Sequence, residues 1–161
     1  MATTPFVFAR FSELRCEDVR VRVAECRPAD PARGYVPAYE TEIIRMADDQ
    51  IVGHLSLRIG DTPYVRTYGG HIGYGILEPY RGHHFAAKGC RAIIPIAQHH
   101  GVNPLWLTVE PHNTASRRTC ERIGAEFVEI VALPADCDMY LEGQRHKCRY
   151  RWDLGAVSST P

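Results

Sequence analysis

Lysine is almost missing from this chain: all but two of its nineteen basic residues are arginine, the exceptions being Lys88 and Lys147. Nineteen acidic residues balance them, so no overall field gathers DNA, RNA or an anionic membrane, and no nucleic-acid partner is expected. The arginine bias carries no functional weight, because a genome's base composition produces the same skew. Long apolar runs are missing too. Arg10 interrupts the short FVFA patch, and no basic cluster precedes it. Neither a signal peptide nor a membrane span is expected, and the chain reads as cytoplasmic. The six cysteines, Cys16, Cys26, Cys90, Cys120, Cys137 and Cys148, form no Cys-x-x-Cys pair. In a chain long enough for a core they read as free thiols. His83-His84 and His99-His100 are neighbours that point about 100° apart on a helix, unlike an i, i+4 pair, so no metal is expected. There is no internal repeat or low-complexity tract.

What remains is the composition of a globular domain, 45% hydrophobic and 24% charged over 161 residues, enough for one core. Residues 1–15 read as an irregular N-terminal arm whose Phe6, Phe8 and Phe11 can dock on a surface. Residues 16–155 read as the domain, and 156–161 as a disordered tail. Val19 to Cys26 alternates valine with polar residues at period two, the pattern of a strand with one wet face. Pro28, Pro31, Gly34 and Pro37 make the following stretch a loop with no helix. Tyr39 to Met46 and Gln50 to Ile59 form a hairpin about Asp48-Asp49. Thr62 to Gly70 is a loop. Phe85 to His100 has helical spacing, and Pro95 predicts a kink or an early end. Phe127 to Leu133 and His146 to Leu154 read as the last strands, with a flap at 134–144 between them.

The centre of the chain is HIGYGILEPYRGHHFA, residues 71 to 86. It reads as a strand, a turn at Glu78-Pro79, and a helix N-terminus opening after Arg81-Gly82-His83-His84-Phe85-Ala86. Free N–H groups of a first helical turn, with the positive end of the helix dipole behind them, hold a phosphate without any lysine. The spelling excludes a P-loop and a dinucleotide fingerprint, which require Gly-Lys-Ser/Thr and G-x-G-x-x-G. An ordinary strand–helix junction with a surface arginine remains the plain alternative. Further on, Pro104 to Glu110 is strand-like, and Asn113 can cap a helix from Thr114 to Gly124.

These two segments together resemble the GNAT superfamily of acyl-CoA N-acyltransferases. Its cofactor loop runs Arg/Gln-x-x-Gly-x-Gly/Ala, and its next motif runs from Asn-x-x-Ser/Ala to a Gly-aromatic ending. Here the segments are R81-G-H-H-F-A86, N113-T-A-S116 and G124-A-E-F127. The resemblance spans roughly residues 50 to 130. It implies a single α+β domain with a mixed, mostly antiparallel sheet of six to seven strands and two main helices. It also implies acetyl-CoA as co-substrate, bound by Arg81, Gly82, His83, His84, Phe85 and Ala86. Backbone N–H groups of Ile76 and Leu77 would meet the pantetheine and thioester oxygen, and Asn113 and Ser116 would orient the cofactor. His84 departs from the pattern, standing where the family usually has glycine. Between the first two strands only a short Pro- and Gly-rich loop replaces the helices that often cover the acceptor. The acceptor side is therefore open, or closed by the arm or by a second subunit in a homodimer.

Transfer to an amine requires a free lone pair, which costs roughly 4 to 5 kcal/mol for an alkylammonium at neutral pH. Glu110, at the end of its strand, is the first candidate base and His71 the second; for His71 the alternative is a satisfied sheet-edge histidine. The family's usual acid, a tyrosine seven residues after the capping asparagine, is replaced by Cys120. That thiol either donates to the CoA sulfur or is a small buried hydrophobe. The reading is an N-acetyltransferase moving an acetyl group to a primary amine of a small molecule or peptide by direct attack in a ternary complex. Its alternatives are an acetyl-CoA sensor and an interaction module that keeps only the fold.

Overall fold

The computed structural model describes residues 5–155; the expected tail at 156–161 and the first four residues of the arm lie outside the described residues. Strands β1 (Leu14–Cys16), β2 (Val19–Arg27), β3 (Ala38–Arg45), β4 (Gln50–Arg58) and β5 (Ile72–Ile76) form one sheet in chain order. Strands β6 (Leu105–Val109), β7 (Glu126–Ala132) and β8 (His146–Trp152) form a second, in the order β6-β8-β7. The ladders within both sheets are antiparallel. The eighth strand, beyond the six to seven expected, is β1. Three residues are too few to display a period, and they pair only because the tight turn before Val19 folds them back onto β2.

Alternation decides what each face of the larger sheet does. Val19, Val21, Tyr39, Ile43, Leu55 and Leu57 are buried, and helix α1 (Phe85–Ala92) packs on that side. The other face carries Arg22, Glu40, Glu42, His54, Ser56 and Arg58. Several of these pair across the strands, as in Arg22–Glu42 at 2.9 Å and Arg27–Glu40 at 3.1 Å. The β2–β3 connection contains one 3₁₀ turn at Pro31–Arg33 and no α-helix, so no helix from it covers this polar face.

Phe85 to His100 forms two helices rather than one. α1 ends at Ala92, and α2 (Ile94–His99) begins with Pro95 in its first turn, where a missing N–H costs nothing. α3 (Thr114–Arg122) is capped by Asn113, whose Oδ1 accepts from the Ser116 N–H at 3.1 Å. The flap holds a short helix, α4 (Asp138–Leu141). The expected loop at 62–70 instead winds into a π turn over Val65–Gly69. Its carbonyls are held by the smaller sheet: Thr108 Oγ1 donates to Tyr68 O at 2.7 Å, and Arg149 Nη2 donates to Arg66 O at 2.9 Å. These partners lie about 40 and 80 residues away, which is why local sequence does not announce the turn. In the arm, Phe8 and Phe11 meet the Tyr39 ring edge-on at 5.1 and 5.8 Å.

The two sheets meet where β5 begins. The His71 N–H donates to Trp106 O at 2.7 Å, and β5 and β6 both run away from that contact, diverging as they go. On the opposite edge of β5, Gly53 of β4 lies so close that a Cβ there would stand 2.5 Å from Gly75 O and 3.2 Å from Ile76 Cα. Gly53→Ala should therefore push the end of β5 outward. The expected loss is about 1–3 kcal/mol of stability, read by denaturant unfolding; an unchanged midpoint would mean that β5 yields freely.

Candidate active site

The cleft between α1 and α3 has a volume of roughly 560 Å³. Its walls include Ile76, Arg81, Gly82, His84, Phe85 and Ala86 from the first motif, and Asn113 and Ser116 from the second. Its floor is the edge of β5. A smaller cleft of roughly 180 Å³ opens between β5 and β6, lined by Gly73, Thr108, Glu110 and Lys147. Tyr74, Asn113 and Ser116 border both. The two clefts therefore share a wall, and a chain-like ligand can run from the helix ends into the gap between the sheets.

The larger cleft suits an anion. Among the described residues no side chain caps the first turn of α1, so its N–H groups are left for a ligand. Gly82 takes φ +90°, and His84 takes φ +63°, a left-handed conformation that costs a non-glycine residue roughly 1–2 kcal/mol. That is the physical content of the family's glycine at this position. Arg81 turns back, its Nε donating to Ile76 O at 3.0 Å, and thus braces the loop. Arg118 and Arg122, one turn apart on α3, also line the cleft. Sequence reasoning passed over both. Their signal was the i, i+4 spacing of two arginines on the helix that Asn113 caps.

The floor offers backbone donors. Arg58 N–H donates to His71 O and Leu77 N–H to Val52 O, at 2.7 and 2.9 Å. An antiparallel ladder alternates, so in this register the N–H groups of Tyr74 and Ile76 face the gap. Leu77 is thereby corrected as a donor, since its N–H is spent on β4. His83 does not line the cleft either; its ring lies against that of Phe85 with the centroids 5.7 Å apart.

The three catalytic candidates separate. Glu110 lines the gap, with His112 Nε2 3.5 Å from its Oε2. His71 is buried, its Nδ1 accepting from the Trp106 N–H at 2.8 Å and its Nε2 donating to Gly60 O at 2.9 Å. With both ring nitrogens occupied it is a clamp, and the expectation of a base there is corrected. Cys120 is fully buried and lines neither cleft, and burial above all pushes its thiol up to about 12. It packs as a small hydrophobe, which corrects its reading as an acid. The hydroxyl that reaches this region belongs to Tyr74, which donates to Ser116 O at 3.3 Å and whose pKa is raised by burial. Tyr74 was missed because it comes from β5 rather than α3, and the apolar strand around it offered no sign that its hydroxyl reaches the second helix. Among the described residues no cluster of metal-ligating side chains occurs, and no helix is long and apolar enough to cross a membrane.

Residues 8–126 match the family model described as acetyltransferase (GNAT) domain. No curated protein matches the chain by sequence. Among solved structures, the ribosomal-protein-S5-alanine acetyltransferase from Vibrio fischeri superposes with a TM-score of 0.64 at 12% identity, over 94% of this chain and 100% of that one. The ribosomal L7/L12 alpha-N-protein acetyltransferase gives 0.62 at 18% identity, over 87% and 96%. The microcin C7 self-immunity acetyltransferase in complex with acetyl-CoA and AMP gives 0.56 at 16% identity, over 73% and 61%. At such identities the likeness is one of fold.

Two measurements probe this geometry. His84→Gly should raise stability by about 1 kcal/mol, because glycine adopts the left-handed conformation freely; a lower melting temperature would refute the strain. His71 and His100 both have pKa values pushed below the ordinary 6.5, chiefly by burial. The unfolded chain therefore binds protons more readily, so unfolding free energy should fall as the pH drops below about 6.5. His71→Gln should make that decline shallower, and an identical slope would assign it elsewhere.

Proposed function

The chain belongs to the GNAT acetyltransferase family, and from that premise we propose that it transfers the acetyl group of acetyl-CoA to a primary amine of a small molecule or peptide. The observation that carries this reading is the shared wall of Tyr74, Asn113 and Ser116, which joins an anion-binding cleft to the gap holding Glu110. The uncapped end of α1, with Arg81, Arg118 and Arg122, takes the phosphates of the co-substrate. The pantetheine arm lies along β5 as an added strand, and the Ile76 and Tyr74 N–H groups meet its amide and the thioester oxygen. A solved relative of this fold holds acetyl-CoA, which supports the choice of donor. Residues 16–155 form the transferase domain, with the arm braced on Tyr39.

In the reaction, the amine lone pair attacks the thioester carbon, the C–N bond forms and the C–S bond breaks, the electron pair leaves with sulfur, and the proton lost from the acylated nitrogen passes to that sulfur. Glu110 accepts the proton that the acceptor must lose, removing much of the deprotonation cost of roughly 4 to 5 kcal/mol. The Tyr74 hydroxyl turns its one proton from Ser116 O, a long partner at 3.3 Å, to the departing sulfur. Its raised pKa keeps the hydroxyl protonated, so it acts as a donor rather than as a source of a full proton. The polar sheet face, with no helix from the β2–β3 loop over it, leaves room for a peptide. Two relatives are named for acetylating ribosomal proteins, which supports a protein N-terminus as one acceptor class.

Calorimetric titration with acetyl-CoA, followed by thiol release across a panel of small primary amines and peptides with free N-termini, tests this. Glu110→Gln should lower kcat by about 10² or more while leaving acetyl-CoA affinity unchanged. Undiminished turnover in the variant would remove Glu110 from the proton path, and absence of acetyl-CoA binding to the parent would overturn the reading.

A further inference from the structure

One of the two lysines of this arginine-rich chain lines the gap between the sheets. Lys147, on β8, is only 8% exposed and lines the β5–β6 cleft beside Glu110, Thr108 and Tyr74. Among the described residues its ammonium has neither a hydrogen bond nor an ion pair, whereas Lys88 is tied to Asp18 at 2.7 Å. An arginine would supply the same charge, is more weakly hydrated and is the better choice for binding an anion. What a lysine offers and an arginine does not is an amine that can lose its proton and become a nucleophile.

Resting on the acetyltransferase reading above, we infer that the ε-amine of Lys147 is itself an acetyl acceptor, modified by the acetyl-CoA bound in the same molecule. The gap is where that reading places the thioester, and Lys147 lines it with an amine on a flexible four-carbon stem. The Nζ lone pair attacks the thioester carbonyl, a C–N bond forms and the C–S bond breaks, and the electron pair departs on the CoA sulfur. The proton released from nitrogen passes to that sulfur or to the Glu110 carboxylate, giving Nε-acetyl-lysine and CoA. The surroundings ease loss of the proton from its ammonium. Burial, the leading influence, and the nearby Arg58 guanidinium of β4 lower the Lys147 pKa, while Glu110 of β6 and Cys137 and Glu142 of the flap oppose them. The acetylated side chain is neutral and longer, and it occupies the space in which an amine acceptor has to approach.

The test uses the full chain with acetyl-CoA alone, calorimetry to establish binding, and mass spectrometry of the digested protein over time. Acetyl-Lys147 should accumulate at least about tenfold faster than acetyl-Lys88, because a bound donor beside the amine replaces a bimolecular encounter. The rate per molecule should not change on dilution of the protein, and Lys147→Arg should abolish the fast phase. Acetyl-CoA binding without preferential Lys147 acetylation overturns this proposal and leaves the transferase reading standing. A rate that falls in proportion to dilution overturns modification within one molecule. No binding at all removes both.

Discussion

The His71 side chain holds the two sheets together at the point where their main chains meet. Its imidazole accepts from Trp106 N–H and donates to Gly60 O, while its own N–H reaches Trp106 O. A neutral ring with one donor and one acceptor is required, and burial keeps it neutral. From this vertex β5 and β6 diverge. The gap that takes Glu110 and Lys147, and the free edge of β5 with its outward N–H groups, both exist because the pairing stops there. A longer ladder between β5 and β6 would have closed the site.

Around that wedge the charges are divided by kind. Arginines line the broad cleft and brace its loop, and their planar guanidinium forks suit phosphate. The narrow gap instead holds one carboxylate and one amine, both able to exchange a proton, and a tyrosine that burial keeps protonated. Backbone conformation follows the same division. The loop before α1 uses left-handed residues at Gly82 and His84, whereas the gap is floored by a regular strand edge.

Much of this architecture is legible in the residues alone. Alternating and apolar runs locate seven of the eight strands, and Asn113 announces the cap of α3. Two motifs in the right order single out residues 81–86 and 113–116, and most of these lie along one cleft. The features that escape such reading share a cause. β1 is too short to have a pattern. The π turn depends on Thr108 and Arg149, far along the chain. Residue type and spacing suggest an acid at Cys120 and a base at His71, while their burial and partners decide what they do. Tyr74 and Lys147 do not stand out because their neighbours in the gap come from other elements.

Seven of the eight strands, the cap of α3 and the family follow from the residues alone, since propensity, alternation and capping act over a few residues. Which N–H groups of β5 are free, which titratable groups face the gap and which are sealed in the core are settled by long-range contacts. Those outcomes depend on contacts between residues tens of positions apart, and burial and hydrogen-bond partnership are properties of the assembled fold.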